Sequence, residues 1–175
     1  MLTHGTYISV ISAMTYTKKT KPINPSLEWE RLITLELYRQ YDHICLTHKV
    51  SLPSVIITLF DSETKWGTYD NLTRTISISK KLVLEQPWHH AVGVLMHEMA
   101  HQYVAENFSA TQSLPHGELF KQACLRLGVP KQFSKAGLDL SQDSLDWRSE
   151  QPNPEIEKIL DRVRKLLALG TSSNE

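Results

Sequence analysis

At 175 residues, with 41% of them hydrophobic, the sequence is long enough for one packed domain and a small appendage. Nineteen basic residues balance nineteen acidic ones, which excludes a global field that would draw the chain onto nucleic acid or anionic lipid; such a partner would need a local patch. Only Cys45 and Cys124 are present, far apart and in no CxxC pair, which excludes a disulfide framework and a four-cysteine zinc ribbon and suits a reducing, cytoplasmic setting.

In chain order, residues 1–25 read as a lead-in. The apolar run "YISVISAM" is short and lacks the basic start and cleavage pattern of a signal peptide. Elsewhere nothing approaches the roughly 20 apolar residues of a membrane span, so a soluble protein without a membrane partner is expected. From Pro25 onward Leu32, Ile33, Leu35, Leu37, Tyr38, Tyr41 and Ile44 recur at three and four residues, the period of a long amphipathic helix. After Pro53 the texture turns β-branched: "SVIITLF", "KWGTYD" and "RTISIS" predict three successive strands, expected to pair antiparallel. "KKLVLEQPW" leads into a helix from about Trp88 to Asn107. After the polar "SATQSLP" another helix runs from near His116 to the stop at Gly128-Val129-Pro130. Residues 131–153 have no period and read as a linker. A last amphipathic helix fills 154–175, with Ile156, Ile159, Leu160, Val163, Leu166 and Leu167 on one stripe. The domain proper is therefore expected over 26–130.

The chemistry concentrates in "VLMHEMAHQYV". His97 and His101 stand four apart, so on a helix they share one face and can reach a single ion; zinc takes imidazole nitrogens at about 2.0–2.1 Å. Val92, Leu95, Met96, Met99 and Tyr103 gather on another side, so the core face and the ligand face are expected to be separate. Glu98, one step round from His97, is too offset to be a natural ligand but can reach a water at the metal. That is the position of a general base in amide hydrolysis. A third ligand must come from elsewhere. His116, opening the next helix, is the main candidate, with Gly117 beside it to allow close backbone approach; Glu118 is a weaker ligand candidate, or a group that orients a histidine.

Taken together, "LMHEMAHQYV", a loop and "HGELFKQACLRLG" resemble the SprT-like metallopeptidases, in which HExxH is followed by a histidine in an HGxxF motif. "KWGTYD" followed by "RTISISKKLV" resembles the Trp-Gly strand and the succeeding segment of that family, and the resemblance covers about residues 26–130. It implies an α+β, zincin-like fold with a small antiparallel sheet packed on the active-site helix. It further implies Zn2+ on His97, His101 and His116, Glu98 as the catalytic base, and proteolysis of proteins bound or crosslinked to DNA. Many members add a C-terminal zinc ribbon, for which this chain lacks cysteines, so DNA is the weaker of the two implied partners and a protein substrate the stronger. The final helix resembles the opening of a bacterial and phage domain of unknown function; an amphipathic helix docked on the domain is the competing reading.

Other features have plainer readings beside functional ones. Trp66 and Gly67 would shape a substrate-binding edge, or be a packing tryptophan beside a turn glycine. His89 and His90 read as exposed or capping, Tyr103 as core and Cys124 as a buried thiol. Lys18, Lys19, Lys21, Lys80, Lys81, Arg162, Arg164 and Lys165 read as solvated faces. Two rival functions accompany the zinc endopeptidase: a non-catalytic, zinc-stabilised binding module and a metal hydrolase of a non-protein amide.

Overall fold

The computed structural model of the protein describes residues 25–108, 114–135 and 154–171. The lead-in through residue 24, most of the loop after Asn107, the linker from 136 on and the side chains of Leu166 and Leu167 lie outside the described residues. The three- and four-residue apolar spacing near the start folds as α1 (Pro25–Thr47), which buries Trp29, Ile33, Leu37, Tyr41 and Ile44 and leaves Leu35 and Leu46 exposed.

Next come β1 (Ile56–Phe60), β2 (Gly67–Asp70) and β3 (Thr75–Ser79). They form one sheet of order β1-β3-β2, and its pairing corrects the expectation of an antiparallel sheet. β2 and β3 are antiparallel, with Thr68 opposite Ser77, but β1 runs parallel to β3, with Ile57 opposite Ile76. The reason is the path of the connection. Six residues, Asp61–Trp66, separate β1 from β2, and at about 3.3 Å per residue they can step over one strand position. β3 then returns into the gap, where Ile76 and Ile78 become fully buried. The outer edge of β1 is covered by α1: the Tyr38 hydroxyl accepts the Ile57 N–H at 2.8 Å and donates to the Val55 carbonyl at 3.3 Å.

The segment expected only to lead into the next helix folds as a helix of its own, α2 (Lys80–Glu85), because the Ser79 hydroxyl accepts the Leu82 N–H at its start. Pro87 then separates it from α3 (Trp88–Asn107). α3 is the centre of the molecule. It contacts α1, α2, α4, β2 and β3, and Ala91, Val94, Leu95, Met99 and Ala100 are fully buried. The expected division of α3 into a core face and a ligand face is therefore too simple, since the helix is enclosed nearly all round and His97 and Glu98 are themselves buried. On the α1 side Gln102 accepts from the Tyr41 hydroxyl and donates to the Pro53 carbonyl, both at 3.0 Å. This satisfies a fully buried amide next to His101.

α4 (Glu118–Leu127) packs on α3 through Phe120, Ala123 and Leu127 and ends at Gly128 in the left-handed region, with the Val129 N–H returning to the Cys124 carbonyl at 2.8 Å. Arg126 donates to the carbonyls of His48 and Lys49 at 2.8 and 3.0 Å, tying the far end of α4 to the end of α1. Residues 131–135, read from the sequence as the start of a linker, instead form a 3-10 turn, Lys131–Phe133, with Phe133 fully buried. α5 (Pro154–Thr171) docks on α1 and α2. It buries Ile156, Leu160 and Val163, and Arg164 donates to the Leu84 carbonyl near the end of α2 at 2.6 Å. Among the described residues, no helix is long and apolar enough to cross a membrane.

Candidate metal centre

The i, i+4 spacing on α3 and the first residues before α4 bring three imidazoles together. The Nε2 atoms of His97, His101 and His116 lie 3.2 Å from one another on every side of the triangle. A tetrahedral ion with metal–nitrogen distances of about 2.05 Å would place its ligand atoms about 3.3 Å apart. The donor set therefore fits a divalent ion, and these are the residues among those described that could hold one. Three imidazoles suit zinc, copper, nickel and iron alike.

The surroundings fix these rings. Phe120 sits beneath all three, with centroid separations of 4.9 Å to His97, 4.4 Å to His101 and 4.7 Å to His116. The Nδ1 of His97 lies 2.5 Å from the Phe133 carbonyl, so Nδ1 carries the proton and Nε2 presents its lone pair to the centre. Burial lowers the pKa of His97 below the ordinary imidazole value. Burial, with the neighbouring rings adding to it, takes His101 down to about 3, and burial lowers His116 as well. These shifts favour the neutral ring, the form in which imidazole binds metal.

Glu98 follows His97 and lines the same cleft, whose volume is about 580 Å3 and whose wall opposite α3 is β2. Its carboxyl is buried, and burial pushes its pKa up to about 8 against the opposing effect of the Tyr69 N–H that donates to it. The strand can come so close because position 67 has no side chain. A Cβ there would stand 2.6 Å from Val94 Cγ1 and 2.8 Å from Glu98 Oε1. Gly67 thus lines the cleft, whereas Trp66 is half-buried against the core and holds β3 through its carbonyl, which accepts the Ser79 N–H at 2.9 Å.

The remaining sequence candidates separate cleanly. Glu118 is not brought to the cluster: its side chain is 73% exposed and faces Lys121 at 3.8 Å, because the first turn of α4 points it outward. His90, expected to be exposed or capping, is buried, and with His89 it lies about two turns before His97, outside the cluster. Tyr103 is half-buried against the core, and Cys124 is buried with its thiol pKa raised to about 11 by burial. Lys80 pairs with Glu30 and Asp61, and Lys81 with Glu63, so these two lysines brace the β1–β2 loop. Sequence reasoning missed the Phe133 carbonyl and the Tyr69 N–H, since a backbone group has no signature in residue type.

The model of the SprT-like family matches residues 34–139, well over half of the chain. No curated protein and no solved structure matches.

Proposed function

The chain belongs to the SprT-like family, whose function is of the metallopeptidase type, and on that footing we propose that it is a zinc-dependent endopeptidase of zincin-like architecture with Glu98 as its general base. The observation that carries the proposal is that, among the described residues, three imidazoles and no fourth ligand come together at one cleft. Structural zinc sites close with four protein ligands, whereas catalytic sites use three and leave a position free. Here three imidazoles and the buried Glu98 carboxyl all line one cleft.

His97, His101 and His116 would hold the ion, which when bound supplies Lewis acidity toward water and the scissile carbonyl. The protein does the rest. Glu98, held by the Tyr69 N–H, takes the proton of the attacking water and passes it to the departing amine nitrogen. Burial favours the protonated carboxyl, and a cation nearby favours the carboxylate, so the two effects oppose each other around neutral pH, where a shuttle must both accept and donate. Phe120 and Phe133 keep the rings in place, and β2 forms the wall along which a polypeptide can lie. The strand along one wall of the cleft favours an extended protein chain over a small amide. Proteins bound or crosslinked to DNA are the substrate class carried over from the family resemblance.

The test is metal analysis of the purified chain together with cleavage of casein and histone, with and without single-stranded DNA. Glu98→Gln should keep its zinc and lose cleavage by about 100-fold or more. Unchanged proteolysis in that variant would sink the mechanism, and full function without proteolysis would favour a zinc-stabilised binding module. Stimulation by single-stranded DNA would tie the activity to DNA-bound proteins.

A further inference from the structure

Phe133 touches α3 at two points one helical turn apart. Its carbonyl meets Nδ1 of His97 at 2.5 Å, and its ring lies on the backbone of α3 at Gly93, four residues earlier on the same face. A Cβ at position 93 would stand 2.3 to 2.5 Å from three carbons of that ring, so the ring rests where any side chain at 93 would be. Glycine is the poorest helix former after proline, and its presence in the middle of α3 is accounted for by this seat. The turn that carries Phe133 is internally closed: the Phe133 N–H donates to the Pro130 carbonyl at 2.8 Å, and the Ser134 hydroxyl donates to the Lys131 carbonyl at 2.9 Å. These bonds fix the backbone that carries both the ring and the carbonyl.

We infer that Gly93 and Phe133 are positioning residues for the metal centre: the ring, seated on Gly93, aims the Phe133 carbonyl at His97 and so fixes the tautomer and orientation of that ligand. The assignment rests on His97 binding the metal as proposed above. It also extends the metal-holding unit beyond the HExxH and HG motifs, to a turn that contributes no side chain to the centre.

The test uses the full chain loaded with zinc. In Gly93→Ala the added methyl displaces the ring, and zinc affinity, measured by competition with a chelator, should fall about 10- to 100-fold. Phe133→Leu in the Gly93→Ala background makes room again and should recover most of that loss, while a denaturant midpoint measured on the metal-free variants separates it from a change in fold stability. In the wild-type protein the Nδ1 proton of His97 should exchange slowly with solvent in 1H–15N spectra. A folded Gly93→Ala protein with wild-type zinc affinity overturns the assignment. Should that variant not fold, a freely exchanging His97 Nδ1 proton in the wild type overturns it equally. A wild-type chain that takes up no zinc would instead sink the metal reading itself.

Discussion

Glu98 is where burial and chemistry meet most directly, and its ionisation can be read as stability. Its folded pKa of about 8 lies above the ordinary carboxyl value of 4.5, so between those limits the folded chain binds a proton that the unfolded chain releases. The contribution is fully present below pH 4.5 and is lost as pH rises toward 8. In metal-free protein the wild type should therefore lose stability relative to Glu98→Gln between pH 5 and 8, by on the order of a few kcal/mol, as measured by denaturant midpoints at each pH. Phe120 gives a second prediction at this scale. It is buried and touches all three imidazoles, so Phe120→Ala should cost about 3–5 kcal/mol and weaken zinc retention together, seen as a lower unfolding midpoint and faster zinc loss to a chelator. The histidine cluster was legible in the sequence: His97 and His101 from their spacing on one helix, and His116 as a candidate opening the next. The acceptor for His97 and the donor for Glu98 were not, because they are main-chain groups of distant segments. The outward rotation of Glu118 depends on where the first turn of α4 begins, which the sequence marks only to within a residue or two.

Among the elements, β2 stands closest to the chemistry, and its fit against α3 depends on the missing side chain at position 67. Gly67→Ala should push the strand or the Glu98 carboxyl aside and reduce cleavage by about tenfold or more, while zinc content stays at the wild-type level; a variant with unchanged turnover would show that the strand has room to yield. The strands themselves were readable from their β-branched runs. Their order was not, because local patterning specifies which residues extend and not which neighbour a strand returns to. α2 was passed over for a related reason, since one serine hydroxyl at its cap decides whether six residues coil or lead straight into α3. The apolar stripe expected over 154–175 meets a helix described over Pro154–Thr171, and the structure supplies its berth. A chain ending at residue 153 should lose the burial of Ile156, Leu160 and Val163 and unfold several degrees lower, yet keep its cleavage rate at low temperature, because α5 packs on α1 and α2 and none of its described residues lines the cleft.

For the whole molecule, the ion and the fold are linked by mass action. An ion that binds only the folded state stabilises it by about 2.7 kcal/mol when free metal is a hundredfold above the dissociation constant, so a chelator should lower the melting temperature and added zinc should restore it in a concentration-dependent way. A melting temperature indifferent to chelator would mean that the triangle holds no ion in solution. The sheet adds a consequence of a different kind. A three-stranded sheet has two edges, and an edge left open invites the wrong neighbours. The hydroxyl of Tyr38 occupies the outward N–H of β1 at Ile57, so that edge cannot readily template a strand from a second molecule, while the edge of β2 stays beside the cleft. Tyr38→Phe would leave the Ile57 N–H without its acceptor beneath α1, which still covers the edge, and should cost about 1 kcal/mol, seen as a lower denaturant midpoint, so a single phenol oxygen caps the strand that α1 shields.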